Sequence, residues 1–300
     1  MIYLDNAATS FPKPKESMEH LNRFVTEIGG NPGRSGHSLS VEAARVVFEA
    51  REKLTAFING DDSERMIFTQ NGTESLNLAI LGLIEERDHV VTTSLEHNSV
   101  MRPLMFLMKK QGVEVSIIQC SRSGSLDLEA LARTVRKDTK AVIINHGSNV
   151  VGVTQPLHDV RQAIGSAILI VDACQTIGTH PIDINRDNID ILCFSCHKSL
   201  FSVQGVGAIY IRNGIDPVPL KFGGTGSKSE SIDHPEFLPD RYECGTPNTP
   251  GIASLLGGLA FIEKEGLTKI SERKTSMREK IVRGLSAIHG VTVHGNNGNK

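Results

Sequence analysis

The run Ala167-Ile168-Leu169-Ile170-Val171-Asp172-Ala173-Cys174-Gln175-Thr176, "AILIVDACQT", sets five apolar residues directly against a carboxylate. An unbroken apolar run of this kind, rather than an alternating one, is the pattern of a strand buried on both faces of a sheet. An aspartate closing such a strand is costly to bury unless a cation or several donors meet it. Asp172 reads either as a helix cap or as the partner of a protonated ring nitrogen, and the run alone leaves both open.

Six other stretches are strand candidates, and most of them are likewise continuous apolar runs: "RMIFT" (65–69), "HVVTT" (89–93), "VEVSII" (113–118), "AVIIN" (141–145), "DILCFS" (190–195) and "VGAIYI" (206–211). Helical patterns such as "TESLNLAILGLI" (73–84) and "DLEALARTV" (127–135) separate them. This βαβ rhythm predicts an α/β fold with a mainly parallel central sheet, its functional site at the carboxyl ends of the strands. Upstream, Met18, Leu21, Val25 and Ile28 repeat at helical spacing over Lys15–Ile28, and Gly29-Gly30 ends the helix. A second helix spans roughly Val41–Ile58. Two more helices follow the core, and the final "GVTVHG" reads as one strand.

The 300 residues carry a net charge of −2 and are 39% hydrophobic, which implies an ordinary globular chain with no global attraction to nucleic acid or anionic membrane. The N-terminal "MIYLDNAATS" has neither a basic region nor a long apolar one, and no stretch approaches a membrane span. With five scattered cysteines, this points to reduced thiols in the cytoplasm.

Several polar clusters fall where strands end. In "FTQNGTESLNL", Asn71-Gly72-Thr73 lead into a helix, a favourable place for a phosphate, or simply a helix capped by Thr73. His97 in "TSLEHNSV" follows a strand and starts a helix, as a cap or as a ring stacked on a planar ligand. "LCFSCHK" (192–198) has the Cys-x-x-Cys-His spacing of a haem attachment site, yet Lys198 could equally hold an aldehyde cofactor as a Schiff base. Alternation along a strand would turn Cys193 and Cys196 to different faces, which disfavours haem. Lys198 and Asp172, by contrast, close successive strands and would arrive at one sheet edge. A zinc set of Cys193, Cys196, His197 and Cys244 lacks a second close pair of ligands. "YECGTPNTPG" offers a further turn of phosphate-binding type.

Taken in order, "YLDNAATS", "GRSGHSLS", "TQNGTESLNL", "LEHNSV", "SNVVG", "VDACQT", "FSCHK" and "ECGTPNTPG" resemble the class V, fold-type I pyridoxal-phosphate enzymes, in particular the cysteine desulfurase and selenocysteine lyase-like group. The resemblance implies a three-layer α/β/α fold with a large pyridoxal-phosphate-binding domain over residues 15–265. A truncated small α/β domain would come from residues 1–14 and 266–300. It implies Lys198 as the aldimine-forming lysine and proton shuttle, Asp172 on the pyridinium nitrogen, and Gln175 and Asn149 near the phenolic oxygen. His97 would stack on the ring and help with proton transfer as a catalytic residue beside Lys198, and Gly72, Thr73, Ser195 and His197 would hold the phosphate. Thr246 would reach it from a second subunit of a homodimer, while Arg34 and His37 would line the substrate entrance.

The implied activity is a transferase that converts L-cysteine to L-alanine and passes sulfur to an acceptor protein. A selenocysteine lyase, an epimerase, an aminotransferase or an impaired pyridoxal-phosphate-binding homologue are the alternatives. Members of this family run several tens of residues past the position of Lys300. There they carry the nucleophilic cysteine and a carboxylate-binding arginine, and none of Cys120, Cys174, Cys193, Cys196 or Cys244 takes that cysteine's place. Ser202-Val203 also stand where a Gly/Pro-type turn is expected after the lysine.

Overall fold

The structure is a computed structural model that describes residues 2–33, 36–227 and 231–295. Seven strands form one sheet: β1 (Met66–Thr69), β2 (His89–Thr93), β3 (Glu114–Ile118), β4 (Thr139–Asn145), β5 (Ile168–Asp172), β6 (Ile191–Ser195) and β7 (Gly207–Ile211). Their order is β1-β7-β6-β5-β4-β2-β3. The pairs from β6 to β3 are parallel, and β7 runs antiparallel between β6 and β1. All seven predicted strands are present to within two residues at each end.

Alternation along the strands feeds two separate core layers. Val142 and Ile144 of β4, Leu169 and Val171 of β5, and Leu192 and Phe194 of β6 point into one layer. That layer is closed by α2 (Ser38–Phe57), α5 (Leu128–Thr134), α6 (Leu157–Ile164) and α7 (Thr249–Glu265). Ala141, Ile143, Ile170, Ile191 and Cys193 point into the other, closed by α3 (Gly72–Leu83) and α4 (Asn98–Gln111). Burial on both faces is why the inner strands β4, β5, β6 and β7 read as largely continuous apolar runs, whereas the edge strand β3 is half-exposed. Cys193 lies in the second layer and Cys196 in the first, so the two thiols of the Cys-x-x-Cys-His motif cannot reach one porphyrin edge. Among the described residues no group of His, Cys, Asp or Glu is arranged to hold a metal, which removes the zinc set.

Helix α1 (Lys15–Arg23) continues through a wider π-helical segment, Phe24–Ile28, and ends where Gly29 turns left-handed at φ +55°. Helix α8 (Leu267–Ser286) is the last helix among the described residues and buries none of its residues. The strand expected at 290–295 does not form: residues 291–294 are irregular and no strand pairs with them. An isolated strand leaves its backbone groups without a ladder, and pattern alone does not supply a partner.

Candidate active site

Parallel pairing brings the ends of β4, β5 and β6 to one edge, with Asn145 beside Asp172 and Asp172 beside Cys193 in register. A cleft of about 220 Å³ opens there. It is lined by Gly72, Thr73, His97, Asn149, Asp172, Gln175, Ser195, His197 and Lys198, so nine residues singled out in the sequence converge on one place.

Asp172 is 4% exposed and makes no ion pair among the described residues; one carboxylate oxygen accepts from the Cys174 N–H at 2.9 Å. A buried carboxylate so placed calls for a cation from outside the chain. Across the cleft, α3 opens at Gly72, whose N–H donates to Ser195 Oγ at 2.9 Å. A Cβ at Gly72 would lie 2.4 Å from Cys174 Sγ and 2.8 Å from Ser195 Oγ, so only glycine fits this cradle. The helix is capped by Asn71, which accepts from the Glu74 N–H at 2.9 Å, and not by Thr73. Thr73 Oγ1 instead pairs with Ser99 Oγ at 2.8 Å, and its residue faces the cleft. A helix N-terminus with flanking hydroxyls is a ready anion site.

His97 caps α4, and its Nδ1 accepts from the Ser99 N–H at 3.1 Å. In the neutral ring this places the proton on Nε2. His197 is held neutral across the physiological range, its pKa lowered to about 4 by burial and then by the charges of Lys198 and Lys13. Its Nδ1 pairs with Thr9 Oγ1 at 3.0 Å. Lys198 follows β6 in a tight turn that Phe201 completes in the left-handed region at φ +61°. The Ser202-Val203 pair is tied into that turn: Ser202 Oγ donates to the Gly251 carbonyl at 2.9 Å, and Ser254 Oγ accepts from the Val203 N–H at 3.2 Å. Gly258 of α7 allows this contact, because a Cβ there would lie 2.0 Å from the Leu200 carbonyl oxygen.

Two predicted residues lie outside the cleft lining, and a third is not among the described residues. Thr246 lines an adjoining hollow that shares Asn71 and His197 with the cleft. His37 caps α2, accepting from the Ser40 N–H at 3.2 Å, and is not among the cleft-lining residues. Arg34 lies outside the described residues.

Sequence reading passed over two residues. Glu96, beside His97 in "LEHNSV", bridges the ends of β2 and β4: one oxygen accepts from Thr93 Oγ1 at 2.7 Å and from the Asn145 N–H at 3.0 Å. Its other oxygen is buried without a partner, and burial raises the acid's pKa to about 8, with the charge of Asp172 adding to the rise. Lys13, set between two prolines in "FPKPK", reaches the carbonyl of His197. The first residue neighbours a recognised motif, whereas the second has no signal in local sequence.

The donor set fits pyridoxal phosphate: an amine, a buried carboxylate, a histidine at the rim, and N–H and hydroxyl groups around a glycine cradle. Residues 2–300 match the family model "Aminotransferase class-V". A "Probable cysteine desulfurase" of Pyrococcus abyssi is 34% identical over 96% of this chain and 73% of its own length. "Cysteine desulfurase IscS" of Dictyoglomus turgidum is also 34% identical, over 94% of this chain and 68% of its own. Among solved structures, the apo cysteine desulfurase of Thermococcus onnurineus superposes with a TM-score of 0.87 at 32% identity, covering 98% of this chain and 77% of that one. With its three-layer architecture and the cleft at the carboxyl edge of its sheet, this chain belongs to the class-V aminotransferase family.

Proposed function

We propose that the chain is a pyridoxal-phosphate enzyme of the cysteine desulfurase type, acting on L-cysteine to yield L-alanine and transferable sulfur. The observation that carries this reading is the convergence of Lys198 with a buried, unpaired Asp172 and the Gly72–Ser195 cradle. When bound, pyridoxal phosphate supplies an electron sink for the charge that develops at the substrate α-carbon.

In this reading the Lys198 amine holds the cofactor's aldehyde and later moves the substrate α-proton at its Nζ. Asp172 keeps the ring nitrogen protonated. His97 would stack on the ring with its Nε2–H available for proton transfer, and Gln175 and Asn149 would hydrogen-bond around the phenolic oxygen. Gly72, Thr73, Ser195 and His197 hold the phosphate, with Thr246 contributed by the second subunit of a homodimer. His37, which caps α2, would border the substrate's path. Residues 15–265 form the cofactor-binding domain, and α8 begins the smaller one.

Burial raises the thiol pKa of Cys120, Cys174, Cys193 and Cys196, so none of these four is held as a thiolate. An added thiol or the cysteine of an acceptor protein in the cytoplasm would take up the sulfur. Relatives named cysteine desulfurase support cysteine over selenocysteine as the substrate.

The test is reconstitution with pyridoxal phosphate, followed by absorbance and by alanine release from cysteine with a thiol present. A visible band that is lost in Lys198→Ala, together with alanine and sulfide in equal amounts, is expected. A protein that takes up no cofactor overturns the reading. Cofactor uptake without alanine would identify a binding homologue instead.

A further inference from the structure

The segment Asp5–Lys13 crosses the cleft mouth as a strap. Tyr3 Oη donates to the carbonyls of Asp5 and Thr9 at 3.0 and 3.1 Å, and Asn6 Oδ1 accepts from the Phe11 N–H at 3.0 Å. Ala8 lines the cleft, and Gln175 Nε2 donates to the Ala7 carbonyl at 3.2 Å. The strap's second anchor is the backbone carbonyl of His197, the residue before Lys198. Lys13 Nζ donates to it at 2.6 Å, Ser10 Oγ at 3.2 Å, Thr9 Oγ1 at 3.3 Å and the Ser10 N–H at 3.4 Å.

A carbonyl has two lone pairs, so four converging donors compete, and the short charge-assisted contact from Lys13 dominates. Lys13 also donates to Ser10 Oγ at 2.8 Å, which holds the strap's own turn. It has no carboxylate partner among the described residues and sits near a second lysine and a histidine. Burying part of a cation there costs free energy, and burial accordingly lowers its pKa to about 8.

We propose that Lys13 is a positioning residue for Lys198: its ammonium fixes the His197 carbonyl, which sets the backbone from which Lys198 projects and pins the strap over the cleft. The inference rests on the cofactor reading for its consequence but not for its geometry. Backbone held on both sides of the lysine, by Lys13 before it and by the Phe201 turn after it, keeps the amine aimed at one spot.

Lys13→Met tests this. In protein without cofactor, amide exchange followed by mass spectrometry is expected to speed up about tenfold in peptides covering 5–11 and 196–199, and nowhere else. With pyridoxal phosphate, about tenfold weaker binding and a reduced visible circular dichroism per bound cofactor are expected, because that signal reports the chromophore's fixed orientation. Wild-type exchange in 196–199 together with wild-type dichroism would overturn the proposal. If the Met variant loses protection everywhere, Lys13→Arg decides. Restored local protection and dichroism support positioning, and a uniform loss overturns it. A chain that binds no pyridoxal phosphate would sink the proposed function yet leave the exchange result to judge the clamp.

Discussion

Strand β6 buries all five of its residues, whereas α8, four times as long, buries none of its twenty. Ser195, which closes β6, and Lys198 just beyond it inherit their positions from side chains locked in two core layers. Only the start of α8 touches a core, through Leu267 and Ile270. Further along, Met277, Ile281 and Leu285 recur on one face and stand 47%, 61% and 41% exposed. Stability is therefore expected to be steeply uneven, with the site built on the most protected part of the molecule.

Breaking the protected side should have the largest effect. Phe194→Ala removes a fully buried ring from β6 and should cost about 4 kcal/mol in urea-induced unfolding. A cost below about 1 kcal/mol would erase the contrast with α8. Next comes the buried pair that ties α2 to the Thr246 segment. Arg51 meets both oxygens of Glu243 at 2.7 and 2.8 Å, and Glu243 also accepts from the Phe68 N–H at 2.6 Å. Arg51→Met strands that carboxylate and should cost about 3 kcal/mol at neutral pH, measured the same way.

Glu96 sharpens the comparison by pH. Its folded-state pKa is raised from 4.5 to about 8, so the folded chain holds a proton that the unfolded chain releases. Stability from this group is fully present below pH 4.5 and is lost as pH rises towards about 8, at roughly 1 kcal/mol per pH unit. Glu96→Gln should remove that slope from the pH dependence of unfolding; an unchanged slope would show that Glu96 is ionised when folded. Ile281→Ser in α8 should have the smallest effect, within about 0.5 kcal/mol. A larger loss would mean that α8's apolar face is covered in solution.

What the sequence made legible follows the same division. Runs such as Ile168–Asp172 announce themselves because burial on both faces leaves no alternation to misread. The residues at their ends, Asp172, Ser195 and Lys198, were legible with them, since strand ends in a parallel sheet meet at one edge. Residues 290–295 carry a strand's composition without a strand's partner, and partners are tertiary facts. The π-helical close of α1 and the capping of α3 by Asn71 rather than Thr73 depend on hydrogen-bond geometry one residue wide. Lys13 was invisible because its meaning lies in a carbonyl 184 residues away.

That separation carries a consequence for how the molecule is made. The strap is made before its anchor, and Lys13 cannot reach the His197 carbonyl until 184 further residues have been added. At about 5–20 residues per second, this is a wait of roughly 10–40 s. During that interval Ile2, Leu4 and Phe11 have no site to settle on, and even in the finished fold they stay 87%, 91% and 61% exposed. The strap therefore cannot dock beside the cleft until the strand that leads into its anchor has been made.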